Sequence, residues 1–135
     1  MAQKKVLLVD GDLEIRDILQ DLLEAEGHDI IPASHGRQAL EYLEGAPADG
    51  LPDLVLLDLM IPLVDGLQVL ATIKRDPKLS PIPVIVLGAA RHERPAGAAA
   101  LLPKPIPLQE LFETIRGFLD VAKPDLTPSD SRPRR

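Results

Sequence analysis

Short runs of consecutive apolar residues alternate along this chain with longer segments in which apolar residues recur every three or four positions. Continuous apolar runs of four to six residues are typical of strands that are buried on both faces, whereas the longer spacing marks one face of a helix. The runs predict five strands, at residues 5–10, 28–33, 54–58, 84–87 and 101–102.

The helical spacing predicts a helix after each of the first three strands and another after the last. The first helix should begin at the N-cap Asp12 and stop at Gly27, and the second should start near Gly36. The apolar faces are Ile15, Ile18, Leu19, Leu22 and Leu23; Ala39, Leu40 and Leu43; Leu67, Leu70 and Ile73; and Leu108, Leu111, Phe112, Ile115 and Leu119. Between the fourth and fifth strands the pattern weakens, because Pro95 and Gly97 interrupt a segment with almost no apolar face.

This alternation predicts an α/β fold, a doubly wound five-stranded parallel sheet in the flavodoxin-like order 2-1-3-4-5, with a shortened or missing fourth helix. A chain of 135 residues has the usual size of one domain, which we assign to residues 1–122. Residues 123–135 contain Pro and Ser, lack apolar periodicity and are predicted to form a disordered basic tail.

Composition and charge exclude several classes of function. The net charge is −6, and because the tail is basic, residues 1–122 carry about −8, which disfavours nucleic acid as a partner. The absence of cysteine excludes disulfides and thiol chemistry. No apolar run has the length of a membrane span, and no signal-peptide pattern follows Met1, so we expect a cytoplasmic protein. The initial Met1 and the tail at residues 123–135 favour a stand-alone protein. The three histidines show no ligand spacing and are expected at the surface.

Carboxylates close two strands that are neighbours in the predicted sheet. Asp10 ends the first strand and Asp58 the third. Both should therefore point into the crevice at the carboxyl edge, from strands that lie about 5 Å apart. Carboxylates at such a short distance repel each other, and a cation, most naturally Mg²⁺, would stabilise the pair. Lys104 follows the fifth strand, and its long side chain could cross about 10 Å to reach Asp58, aided by a cis bond to Pro105. Alternatively, each acid is a cap or turn residue and Lys104 a solvated charge.

These residues resemble those of a bacterial response-regulator receiver domain over residues 4–121. The matching segments, in order, are Val9-Asp10-Gly11-Asp12 with Ile15-Arg16, Gly36, Ala39-Leu40, Asp53-Leu54-Val55-Leu56-Leu57-Asp58-Leu59-Met60, Pro62, Asp65-Gly66, Pro83-Val84-Ile85-Val86 and Lys104-Pro105.

The resemblance implies a two-component signalling domain and no enzyme in the usual sense. Asp58 would accept a phosphoryl group from a histidine kinase or histidine phosphotransfer protein, and a downstream protein target would receive the signal. Asp10 and Asp12 would be acidic-pocket residues, and Lys104 would bind the phosphoryl oxygens. Asp10, Asp58 and the backbone carbonyl of Met60 would hold Mg²⁺.

Three positions depart from the family pattern. Gly11 stands where the family has its second, metal-binding acid, and Asp12 beside it is expected to face the helix that it caps. Gly88 stands where receivers carry a Thr or Ser, and Leu101 where they carry an aromatic switch residue. We therefore expect Mg²⁺ binding in the millimolar range or weaker, a small structural response after Gly88, and partner recognition by a face that is always formed.

Other functions remain open at this point. The main alternative is a pseudo-receiver, a protein–protein interaction module that works without phosphorylation. A P-loop module would need a Gly-Lys-Ser/Thr motif after the first strand, which is absent. A phosphatase of the dehalogenase type would want an acid two places after its nucleophile, where this chain has Met60.

Overall fold

The computed structural model describes residues 4–59, 66–88, 93–105 and 107–122 of the chain. The tail at residues 123–135 lies outside the described residues, so its separation from a domain at residues 1–122 stays a prediction. Among the helices that the structure describes, none is long and apolar enough to cross a membrane.

Five parallel strands form one sheet in the order β2-β1-β3-β4-β5, which confirms the predicted topology. The apolar runs become strands because their side chains are buried on both faces of the sheet: every residue of β3 and β4 is buried. The strands are β1 (Lys5–Val9), β2 (Asp29–Ala33), β3 (Leu54–Asp58), β4 (Val84–Gly88) and β5 (Ala100–Pro103).

Helices cover both faces of the sheet and divide the apolar side chains into two cores. The helices are α1 (Leu13–Ala25), α2 (Gly36–Gly45), α3 (Gly66–Arg75) and α4 (Leu108–Ala122), with a short 3-10 turn at Ala48–Gly50. One core joins the sheet to α1 and α4, through residues such as Leu23 and Ile115. The other joins it to α2 and α3, through residues such as Leu43 and Ile73. The sheet is therefore the middle layer of three.

Polar residues start the first two helices. The side chain of Asp12 accepts hydrogen bonds from the backbone N–H groups of Glu14 and Ile15, as its predicted role of N-cap requires. Gly27 follows the end of α1 with φ of 97°, a conformation that suits glycine. His35 caps α2 by accepting a hydrogen bond from the N–H of Gln38, a local role that the surface prediction did not foresee.

The connection between β4 and β5 contains no helix in its described part, residues 93–99, which confirms that the fourth helix of the predicted pattern is shortened or missing. Gly97 adopts φ of 90° and lies so close to the stem of Lys74 that an added Cβ would come within 2.9 Å of its Cγ. The ammonium group of Lys74 donates to the carbonyls of Ser80 and Ile82. This lysine, whose pKa is lowered by burial, thus packs α3 against the short connection.

Candidate functional site

Two carboxylates meet at the carboxyl edge of the sheet. Val9 of β1 pairs with Leu57 of β3, so the residues that follow, Asp10 and Asp58, leave adjacent strands at the same level. Asp10 is fully buried and Asp58 is 4% exposed, and these two are the buried charged residues of the described chain. Charged side chains are rarely buried to this extent unless they are paired.

Lys104 supplies the cation for both carboxylates. Its Nζ lies 3.1 Å from Oδ2 of Asp58 and 3.5 Å from Oδ2 of Asp10. Its backbone N–H donates to the carbonyl of Gly88 at 2.6 Å, which fixes the lysine at the end of the β4–β5 ladder. The bond from Lys104 to Pro105 is cis, as predicted. The sequence prediction that a long cationic side chain crosses from the fifth strand to Asp58 is therefore confirmed.

The electrostatics of this cluster leave it short of positive charge. Burial is the main cause that raises the pKa of the Asp10 carboxyl, and the negative charge of Asp58 raises that pKa further. The hydrogen bond from the N–H of Asp12 and the positive charge of Lys104 both lower it, but they do not cancel the rise. Burial by itself lowers the pKa of Lys104, but the hydrogen bond to Asp58 and the two negative charges outweigh burial and raise it. One lysine beside two buried carboxylates leaves a net negative charge, so a further cation or a proton stabilises the group.

Asp12 contributes to the site through its backbone. Its N–H donates to Oδ1 of Asp10 at 2.9 Å, while its own side chain is exposed and caps α1. The side chain faces the helix, as expected, and the contact with the acidic pocket that the structure describes is made by the N–H of Asp12. The reason is that a side-chain oxygen that accepts two helix N–H groups is directed toward the helix.

The three positions that depart from the family pattern, Gly11, Gly88 and Leu101, lie where the predicted strands placed them. Gly11 is exposed directly after Asp10. Gly88 ends β4, buried and paired with Pro103, and Leu101 is half-buried against the core below α2 and α3. None of the three has a hydroxyl or a carboxylate to offer. Met60, the predicted carbonyl ligand, lies outside the described residues.

The residues present fit a magnesium ion that retains most of its water. Within the described ranges no group of three or more histidine, aspartate or glutamate side chains could form a closed metal cage. However, Mg²⁺ in phosphoryl-transfer sites uses one or two carboxylates, waters and phosphate oxygens. The buried Asp10 and Asp58 supply two such carboxylates, and Lys104 beside them balances only one of the two negative charges. These two residues would hold the ion.

Two residues matter to the site in ways that the sequence prediction missed. Arg16 donates to the backbone carbonyl of Asp10 at 2.7 Å, and a helix-start arginine next to a strand-end acid was the available signal. Gly66 packs so tightly that an added Cβ would come within 2.6 Å of the Cα of Leu59 and 2.9 Å of the carbonyl of Asp58. A glycine here lets α3 begin directly against the backbone that carries Asp58.

A parallel sheet of order 2-1-3-4-5 with a lysine over two buried carboxylates defines a class of signalling domain. The model of the response regulator receiver domain family matches residues 6–116, and the chain belongs to this family. It is 34% identical over 125 residues to the polar-differentiation response regulator DivK of Brucella anthropi, covering 88% of this chain and 98% of that protein. It is 39% identical over 121 residues to the transcriptional regulatory protein CpxR of Escherichia coli, covering 85% of this chain and 49% of that protein.

Solved structures agree with the family. The receiver domain of the Francisella response regulator 1452 superposes with a TM-score of 0.77 at 27% identity, covering 90% of this chain and 100% of that one. The phosphorylated cyanobacterial phytochrome response regulator RcpA superposes with a TM-score of 0.72 at 31% identity, covering 95% and 100%. The chain thus spans nearly all of some relatives and about half of others, such as CpxR. It is a receiver domain of the two-component response-regulator type.

Proposed function

We propose that Asp58 accepts a phosphoryl group from a phosphohistidine of a histidine kinase or histidine phosphotransfer protein. The observation that carries this proposal is the placement of a nearly buried carboxylate at the end of β3, with the ammonium group of Lys104 3.1 Å away. A buried carboxylate held next to a cation is oriented for attack and spared much of the reorganisation that solvent would require.

The transfer needs positioning and charge neutralisation more than proton chemistry. A carboxylate oxygen of Asp58 forms the new bond to phosphorus as the bond from phosphorus to the partner's histidine nitrogen breaks, and the electron pair returns to the imidazole. Lys104 pairs with the phosphoryl oxygens, for which it is already poised by its contacts with Asp58 and Asp10. Mg²⁺, when bound by Asp10 and Asp58, supplies further neutralisation of those oxygens. The ionised carboxylate attacks directly, so no general base is required.

A groove beside Lys104 supports docking of a protein partner next to Asp58. Apolar side chains of α1 and α4 line it together with the lysine, and its volume is about 500 Å³. Ile18 is 48% and Leu108 45% exposed along this groove. Exposed apolar side chains grouped around a concave surface mark interaction sites more often than scattered ones do. A partner seated here brings its histidine close to Asp58, and the groove exists without any conformational change.

A phosphorylation-independent interaction module is the second candidate, and it has its own support. Gly11 and Gly88 remove an acid and a hydroxyl that a phosphoryl-accepting site normally uses, while the apolar groove and the fold remain. The two candidates differ in what they require of Asp58: the first needs its carboxylate to react, and the second only needs the fold.

The decisive experiment is incubation with acetyl phosphate and Mg²⁺, followed by intact-mass measurement. The wild-type chain should gain one phosphoryl group, and Asp58→Asn should gain none because an amide oxygen is a poor nucleophile. The labile modification should disappear in hydroxylamine, as an acyl phosphate does. A wild-type mass that stays unchanged both with acetyl phosphate and with a phosphorylated histidine phosphotransfer protein would rule out the phosphoacceptor proposal and favour the second candidate.

A further inference from the structure

Arg16 is among the residues that match the family pattern, but the resemblance assigns no role to the polar contact that it makes with the site. It lies in the first turn of α1, is half-buried, and donates from Nη1 to the backbone carbonyl of Asp10 at 2.7 Å. The bond is short for a nitrogen donor, as expected when the donor is charged. Because the acceptor is the backbone carbonyl of Asp10, the contact holds the main chain from which the carboxylate extends.

An arginine at this point of a helix is locally unfavourable. The amino-terminal end of a helix carries a partial positive charge, so a cation in the first turn is repelled where an acid would be attracted. The side chain also loses rotamer freedom when it is held in one geometry. Local rules that are broken in this way usually have a compensating function nearby. Here the compensation is the contact with Asp10.

Besides the contact with Lys104, three described hydrogen bonds hold Asp10. Its N–H donates to the carbonyl of Ala33 at 3.1 Å, its carboxylate accepts from the N–H of Asp12 at 2.9 Å, and its carbonyl accepts from Arg16. The residue that follows is Gly11, which leaves the backbone more freedom than any other residue would. With a glycine at that position, the direction of the Asp10 carboxylate depends more on the contacts of Asp12 and Arg16.

We propose that Arg16 is a positioning residue that holds the peptide between Asp10 and Gly11, and through it directs the Asp10 carboxylate toward Asp58 and Lys104. The proposal rests on the proposed function for its purpose, since an accurately directed Asp10 is needed to bind a cation or a phosphoryl group. Its structural part concerns only the orientation of Asp10 and can be tested separately.

The test compares Arg16→Met and Arg16→Lys with Arg116→Met, a matched loss of an arginine. Arg116 forms an exposed ion pair with Glu26 at 3.0 Å, between α4 and the end of α1. The first measurement is the amide proton shift of Asp12, which reports its hydrogen bond to the Asp10 carboxylate. Arg16→Met should move this resonance upfield toward a solvent-bonded value, Arg16→Lys should recover part of the shift, and Arg116→Met should leave it in place.

The second measurement is affinity for Mg²⁺, and for beryllofluoride in its presence, together with the melting temperature. Arg16→Met should weaken binding about tenfold, the size usual for losing a group that orients a ligand residue, while its melting temperature matches that of Arg116→Met. An unchanged Asp12 amide in Arg16→Met overturns the proposal whatever the binding result. If the amide moves as expected but the wild type takes up no phosphoryl group, the orientation of Asp10 stands and the proposed function fails.

Discussion

At the scale of single residues, burying the carboxylates of Asp10 and Asp58 costs free energy. Added positive charge beside them would reduce this cost. Asp10 has no exposed surface, and burial raises the pKa of its carboxyl. Lys104 offsets part of the negative charge but not all of it. Position 11 is a glycine and adds no acid, so Asp10 and Asp58 are the two carboxylates that would bind a cation.

The variant Gly11→Asp should therefore bind Mg²⁺ more tightly, by about tenfold, because a third carboxylate joins a site that otherwise relies on water. Isothermal calorimetry on the wild type, expected in the millimolar range or weaker, and on the variant checks this. Gly11→Asn is the matched control, since it adds a side chain of equal size without the charge. Equal and tight affinities in wild type and Gly11→Asp would show that another group, such as Asp12, completes the metal site.

At the scale of elements, the strands place the reactive groups and the connection after β4 determines how a signal can leave them. The last residue of β4 is Gly88, whose carbonyl accepts the N–H of Lys104. A glycine can hold the lysine in this way but has no side chain to bond a phosphoryl group. A two-state segment shifts only when a ligand makes a contact in one state that it lacks in the other.

We therefore expect beryllofluoride and Mg²⁺ to change the amide shifts of the wild type near Asp58 and to leave most of residues 88–104 unchanged. Leu101 cannot compensate, because an apolar side chain packed in the core has no hydrogen bond to exchange. Gly88→Ser should extend the changes into this segment, and Gly88→Ala, which adds a Cβ without a hydroxyl, should not. Large wild-type changes along residues 88–104 would contradict the idea that output uses a surface that is always formed.

At the scale of the whole molecule, the site and the stability of the fold are linked through charge. Lys104 directly follows β5, Asp10 directly follows β1 and Asp58 ends β3, so the ion pairs join strands that are distant in sequence. The raised pKa of Lys104 means that its stabilising effect is fully present below its ordinary value of 10.5 and is lost as the pH rises through the higher folded-state pKa. For Asp10 the raised pKa has the opposite meaning: ionised Asp10 costs stability, and this cost falls as the pH drops through the raised folded-state pKa and is gone below the ordinary value of 3.8.

Lys104→Met should lower the free energy of unfolding at neutral pH by about 2–3 kcal/mol, because two buried carboxylates are left without their cation. The loss should shrink as the pH falls and Asp10 is protonated. Asp10→Asn should instead raise the free energy of unfolding at neutral pH, on the order of 1 kcal/mol, with the gain vanishing below pH 3.8. Urea unfolding between pH 3 and 8 measures both, and Lys78→Met at an exposed position is the control. A pH-independent loss in Lys104→Met would mean that packing, and not charge, explains the effect.

The sequence by itself determined the elements, their order and the edge at which the acids meet. Apolar runs and helical spacing are local properties, and they predicted β1, β3 and β4 to within a residue or two because both faces of these strands are buried. Since parallel strands end at the same edge, the position of Asp10 and Asp58 at two strand ends was enough to predict that they are neighbours. The weak helical pattern between β4 and β5 likewise predicted that the fourth helix is shortened or missing, and the described residues 93–99 contain none.

Only the tertiary structure decided which close contacts several polar groups make. The N-cap role of Asp12 followed from the sequence, but the donation of its N–H to the Asp10 carboxylate did not. Arg16 reaches the Asp10 carbonyl, and Gly66 touches the backbone at Asp58, because α1 and α3 pack on the sheet at particular distances. Sequence periodicity gives the face on which a residue lies. The length of a hydrogen bond, or the space left for a single Cβ, depends on how helices and strands that are far apart in the chain pack against one another.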